Sequence, residues 1–307
     1  MEKACERTEH AAGLLWTPVT RAVESMGAEE KAKVEEIRLR IGQPLSVFIE
    51  GKVRYLAEDG RLGSSPEQGM KLGRHHIEES FRKLCGYAVH SHEQEIAQGF
   101  LSVEGGHRAG LGGTGVVRHN GTFGLRDITS VCLRVARQVP GAADRLVELA
   151  QEAMGEGILI AGAPGSGKTT VLRDLARQLS CRGVKVAVVD ERCELSGAGG
   201  GELRNDLGPN CDVLAGMEKS RGLLMAVRCL SPQVIFCDEL GSQEEIQALC
   251  AGLCSGVTVI STIHAGSWEQ LKHKPQFRPL AQSGAFRWAV LLSGPGKPFS
   301  VREVGDL

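Results

Sequence analysis

Gly162-Ala163-Pro164-Gly165-Ser166-Gly167-Lys168-Thr169-Thr170 is the stretch that decides the fold of this 307-residue chain. Its first eight residues fill every fixed position of G-x-x-x-x-G-K-[ST], a phosphate-binding loop. Glycines let successive backbone N–H groups curl around a β-phosphate, Lys168 is long enough to reach β/γ oxygens, and the Thr169 hydroxyl is a hard ligand for Mg²⁺. The flanks come in the order such a loop needs. Upstream, Ile158–Ala161 is an apolar run of strand length. Downstream, Leu172, Leu175, Ala176 and Leu179 recur at i, i+3, i+4 and i+7, the apolar stripe of a helix whose N-terminus faces the phosphates. ATP and Mg²⁺ are therefore the expected ligands, with residues 162–170 as the binding segment.

Outward from the loop, apolar strands alternate with helical patterns after Pro140-Gly141: GILIAGA, 168–181, VKVAVVD, VIFCDE, 243–254 and GVTVISTIH. This alternation implies βαβ units and a mostly parallel sheet buried on both faces. The expected fold class is an α/β P-loop NTPase domain of the RecA-like or AAA type over 141–307, preceded by a smaller α+β domain over 1–140. In that first part, Leu45–Glu50 and Val53–Leu56 flank Gly51-Lys52, and Gly99–Glu104 and His107–Val117 flank Gly105-Gly106, which reads as two hairpins. Ile77, Phe81, Leu84 and Cys85 fall on one helical face.

Val234–Cys237 is an apolar strand ending in Asp238-Glu239, expected beside the P-loop strand. Asp238 is the candidate partner of Thr169 in holding Mg²⁺, and Glu239 the candidate catalytic group that polarises water for attack on the γ-phosphate. A second acidic strand end, Asp190-Glu191 after VAVV, offers either acid as an orienter of water or metal; a solvated charge cluster is the competing reading. Thr258–His264 breaks from apolar to polar, so Ser261, Thr262 or His264 could report on the γ-phosphate, against a purely structural histidine.

Composition narrows the partners. With 36 Lys+Arg against 37 Asp+Glu, the net charge of -1 provides no global field for nucleic acid or an anionic membrane, and no nucleic-acid partner is expected. Ten cysteines are scattered through a chain that opens MEKACERTEH without an apolar signal core, so free thiols in a reducing cytoplasm are expected. Cys250 and Cys254 share a helical stripe with Ile246, Leu249 and Leu253 and read as core thiols rather than zinc ligands. No apolar run approaches the roughly 20 residues of a membrane-spanning helix. LKHKPQFRP, within a tail from Lys272 that is short of motif, is basic without repeated aromatics and reads as solvated surface.

Six segments, in order, carry a family likeness: EEIRLRIGQPLSVFIEGKVRYL, GLRDITSVCLRVARQVPG, LIAGAPGSGKTTVLRDLAR, VAVVDERCEL, SPQVIFCDELGSQEE and TVISTIHAGS. The chain resembles the stage III sporulation protein AA family of endospore-forming bacteria, relatives of the type II and type IV secretion ATPases. That resemblance implies an acidic box at Asp190-Glu191, a Walker B pair at Asp238-Glu239 and a histidine box at His264. The catalytic set is then Lys168, Glu191, Glu239 and His264. It also implies a homo-oligomer, a hexamer, in the mother-cell cytoplasm, peripheral to the membrane through a membrane-bound sporulation complex. Its ATP hydrolysis would power assembly of, or transport through, a channel to the forespore. Arg134 or Arg137, or the set Arg204, Arg221 and Arg228, are candidates for charge supplied in trans. The additional N-terminal modules and cysteine-rich metal element of fuller secretion ATPases are not recognisable. Three other readings stay open: a P-loop protein linked to nucleic acid, a small-molecule kinase, and an ATP-binding scaffold with little turnover. Glu239 directly after Asp238 favours hydrolysis over transfer to a substrate hydroxyl.

Overall fold

The computed structural model describes residues 2–117, 123–199, 201–242, 244–246, 249 and 256–307; Cys250 and Cys254 lie outside them. Chain contacts divide it into two compact units, Met1–Arg137 and Gln138–Leu307.

The first unit is built on β1 (Val34–Arg40), β2 (Ser46–Ile49), β3 (Lys52–Leu56), β4 (Leu62–Gly63), β5 (Phe100–Val103), β6 (His107–Val117) and β7 (Phe123–Arg134). These form one sheet in the order β4-β3-β2-β1-β7-β6-β5, antiparallel throughout. Both hairpins legible in the sequence are present. The β2–β3 turn uses positive φ at Glu50 (48°) and Gly51 (76°), and the β5–β6 turn uses Gly105 (80°) and Gly106 (72°), where glycine avoids the left-handed penalty. The expected helical face lies on Arg74–Leu84, with Ile77 and Leu84 buried. Two helices that the sequence reading did not identify, Glu2–Gly13 and Thr17–Glu24, bury Ala11, Ala12, Val19 and Val23 in the same core as Ile37 and Leu39 of the sheet.

The second unit holds β8 (Ile158–Gly162), β9 (Val186–Asp190), a small hairpin of β10 (Ala198–Gly199) and β11 (Glu202–Leu203), then β12 (Cys211–Ala215), β13 (Val234–Cys237), β14 (Thr258–His264), β15 (Trp288–Leu292) and β16 (Val301–Asp306). Apart from the hairpin, they form one sheet ordered β12-β9-β13-β14-β8-β15-β16, parallel except at the β15–β16 edge. Every residue of β8, β9 and β13 is buried, as a sheet covered on both faces requires. The strand period of two sorts them into separate cores: Leu159, Ala187, Val189 and Ile235 on one face, Ile158, Ile160, Val188 and Phe236 on the other. Helix Lys168–Cys181 closes the latter face with Val171, Leu172, Leu175, Ala176 and Leu179, each branched side chain contributing about 1.5–3 kcal/mol by burial.

In LKHKPQFRP, Leu271 is buried in the core while the residues after it are exposed or half-buried, as expected of solvated surface, and the chain beyond supplies β15 and β16 to the sheet. Among the described residues, no helix is long and apolar enough to cross a membrane.

Candidate nucleotide-binding site

Sheet register assembles the site. In β14, His264 pairs with Gly162 at the end of β8, and Ser261 pairs with Cys237 at the end of β13. The P-loop, the polar end of β14 and Asp238-Glu239 therefore open on one edge of the sheet, at the carboxyl ends of its parallel strands. The expectation that the Asp238 strand lies directly beside the P-loop strand is corrected: β14 lies between them. Thr169, in the first turn of the helix after the loop, still donates to Asp238 Oδ2 at 2.7 Å.

Within the loop, Gly165 and Gly167 take φ of 76° and 90°, conformations that disfavour a side chain. A Cβ on Gly162 would lie 2.3 Å from Ser166 Oγ, so the loop closes this tightly only on glycine. Ser166 Oγ is buried with no hydrogen-bond partner among the described residues. An unmet buried hydroxyl costs about 1–3 kcal/mol, and a phosphate oxygen at the loop would satisfy it. Lys168 Nζ donates to Gly162 O at 2.9 Å and Ala163 O at 3.2 Å, and lies 2.9 Å from His264 Nδ1. Burial pushes the Lys168 ammonium below the usual lysine range, against the opposing charges of Asp238 and Glu239. Pro164 is exposed and Thr170 half-buried beside these groups.

Phe299 was missed by sequence reasoning. Its N–H donates to Ser166 O at 3.0 Å, and its ring packs on Gly167 so closely that a Cβ there would meet Cδ1 at 2.4 Å. The loop between β15 and β16 thus props the P-loop from outside. A lone phenylalanine in a Gly-Pro-rich loop carries no local signal of that role.

Among the three candidates on β14, the structure separates the roles. Ser261 is fully buried and donates to Cys237 O at 2.7 Å. The Thr262 hydroxyl donates to Asp238 Oδ1 and accepts the Glu239 N–H at 2.9 Å, so it braces the acidic pair. His264 alone reaches both sides, with Nε2 3.3 Å from Glu239 Oε1. Glu239 has φ of 47°, a left-handed conformation that costs a non-glycine residue about 1–3 kcal/mol and recurs at functional sites.

The expected acidic box at Asp190-Glu191 also divides. Asp190 is buried, and its Oδ2 accepts the Ser196 N–H at 2.7 Å and the Ser196 hydroxyl at 2.6 Å, closing the turn after β9. Glu191 is exposed and faces Lys219, 3.8 Å away. Of the arginines, Arg134 pairs with Glu36 at 3.3 Å and Arg137 donates to Val34 O at 2.5 Å, both inside the first unit. Arg204 pairs with Glu202 at 3.2 Å, while Arg221 and Arg228 are exposed. The Thr169 hydroxyl and Asp238 carboxylate are hard oxygen donors placed together, a pair that fits Mg²⁺ alongside substrate oxygens and water.

A family model described as sporulation stage III, protein AA, matches residues 6–306. The chain belongs to the stage III sporulation protein AA family. Stage III sporulation protein AA of Bacillus subtilis (strain 168) is 34% identical over 291 residues, spanning 93% of this chain and 91% of that protein. Protein SEEDLING PLASTID DEVELOPMENT 1 of Arabidopsis thaliana is 30% identical over 162 residues, half of this chain and 22% of its own length. Among solved structures, the ATPase DotB of Legionella pneumophila aligns with a TM-score of 0.56 at 15% identity, over 94% of this chain and 74% of that one. The pilus retraction motor PilT, solved with ADP, gives 0.53 at 18% identity, over 84% and 74%. At such identities the likeness concerns fold alone: this chain shares the α/β architecture of the ATPase DotB and the retraction motor PilT.

Proposed function

We propose that this family member is a Mg²⁺-dependent ATP phosphohydrolase that acts as a motor of sporulation, powering assembly of, or transport through, a complex between mother cell and forespore. The observation that carries the reading is the convergence of Lys168, Thr169, Asp238, Glu239 and His264 at one sheet edge, within hydrogen-bonding reach of one another. Their chemistry is that of γ-phosphate hydrolysis. Residues 162–170 cradle the phosphates with backbone N–H groups and the helix N-terminus. On ATP binding, Lys168 exchanges Gly162 O, Ala163 O and His264 Nδ1 for phosphate oxygens, and its desolvation strengthens that attraction. Thr169 and Asp238 would hold Mg²⁺, which would supply positive charge to offset the charge on the phosphates. Glu239 orients a water and accepts its proton. Before ATP binds, Lys168 donates to His264 Nδ1, which leaves the imidazole proton on Nε2, facing Glu239 Oε1 at 3.3 Å. Glu191 acts from further back, through Lys219.

The same reading places the chain in the mother-cell cytoplasm as a homohexamer, docked peripherally on a membrane-bound sporulation complex. Support comes from the family's tie to sporulation and from a fold shared with the ATPase DotB and the retraction motor PilT. Sedimentation of the purified chain with and without Mg·ATP tests the assembly. A nucleotide-promoted hexamer supports a ring motor; a monomer at every concentration points instead to a scaffold or kinase.

A further inference from the structure

Lys219 opens the short helix Lys219–Met225 that follows β12. A cation in a helix's first turn opposes the macrodipole, so the helix itself does not call for lysine there. Its side chain is only 12% exposed, and its ammonium is enclosed by three groups. Nζ donates to Glu239 O at 2.6 Å, and lies 3.6 Å from Glu245 Oε1 and 3.8 Å from Glu191 Oε2. Glu245 in turn accepts the N–H groups of Gly241 at 2.7 Å and Ser242 at 3.0 Å through Oε2.

These contacts meet on the residue whose backbone is under strain. Glu239 is held on its amide side by Thr262 and on its carbonyl side by Lys219, with φ of 47° between. The turn that follows is closed by Glu245, which Lys219 also grips. Without the ammonium, Glu191 and Glu245 would leave two carboxylates beside Glu239 with their shared counter-charge gone, and the Glu239 carbonyl would lose its charged donor.

We propose that Lys219 is a positioning residue for hydrolysis: it holds the Glu239 backbone in its left-handed conformation and links it to the acidic-box residue Glu191. This deepens the hydrolytic reading and rests on it. Lys219 bonds the main-chain carbonyl of Glu239 rather than its carboxylate, so its loss disturbs the aim of that carboxylate more than the binding of nucleotide.

The test uses the full chain with Lys219→Met and Lys219→Arg, read in three ways: affinity for a slowly hydrolysed Mg·ATP analogue, kcat for phosphate release, and amide hydrogen exchange without nucleotide over residues 238–242. For Lys219→Met, affinity is expected to stay within about threefold while kcat falls about 10- to 100-fold, as when a supporting contact to a reacting group is removed. Exchange at Glu239, Gly241 and Ser242 is expected to accelerate. Lys219→Arg should recover most of both losses, which restored charge explains and simple packing does not. Unchanged kcat and unchanged exchange in Lys219→Met overturn the proposal, as does an equal loss of affinity and kcat that arginine fails to rescue. If Lys219→Met does not fold, Lys219→Gln is read by the same exchange criterion. Should the wild-type chain release no phosphate, the hydrolytic reading fails, while exchange still judges whether Lys219 holds the Glu239 turn.

Discussion

His264 bridges Lys168 and Glu239, with Nδ1 2.9 Å from the lysine Nζ and Nε2 3.3 Å from the glutamate Oε1. It therefore touches both the group proposed to bind phosphate and the group proposed to orient water without replacing either. His264→Ala is expected to lower kcat by about 10- to 100-fold, more than it lowers ATP affinity, because Glu239 loses the imidazole that faces it. Steady-state kinetics beside direct binding checks this; unchanged turnover makes the histidine structural.

Lys168→Ala should abolish tight ATP binding, since charge and phosphate contact vanish together. The wild-type residue also sets a pH dependence. Burial lowers the lysine's folded pKa, and phosphate favours the charged form, so binding takes up a proton once the free site has lost one. Affinity is then full below the lowered pKa and falls as pH rises through it, by up to about tenfold per unit. The same shift makes the nucleotide-free fold gain stability from this group as pH rises between the lowered pKa and the ordinary lysine value. Titration calorimetry across alkaline pH measures the proton uptake directly.

Thr262 serves Asp238 and Glu239 with one hydroxyl. Thr262→Val keeps the shape and removes the hydroxyl, leaving the Glu239 amide without its acceptor. Stability should fall by about 1–3 kcal/mol in denaturant unfolding, and kcat should fall with it. A fully active Thr262→Val would show that the bracing is dispensable.

The two acids of the 190–191 pair should separate cleanly. Asp190→Ala strips a buried carboxylate from Ser196 and is expected to cost about 1–3 kcal/mol of stability. Glu191→Gln, at a partly exposed position, should stay within about 0.5 kcal/mol in stability while lowering kcat. Denaturation midpoints measured beside phosphate release distinguish the two.

Much of this architecture was legible because its signals are local. A phosphate loop constrains residue types at fixed spacing, so strand, loop and helix around Lys168 could be read in order; glycines likewise marked both hairpins of the first unit. Strand order was not legible, since it depends on distant pairing. The placement of β14 between β8 and β13 is what decides among Ser261, Thr262 and His264, and the bare sequence left that choice open. Lys219 looks like any surface lysine at a helix start, and Phe299 like any loop aromatic, because their partners lie 20 residues and more than a hundred residues away. β15 went unread for a related reason, since its burial comes from pairing with β8, far upstream, while β16 is a largely exposed edge strand paired with β15.

Phosphate release by the wild type and Glu239→Gln at saturating Mg·ATP, paired with nucleotide affinity for each, tests the central claim most directly. Glu239 as the water-orienting carboxylate predicts steady release by the wild type, and a variant that keeps its affinity while release collapses. Equal release from both proteins, or affinity and release lost in the same proportion, would contradict it.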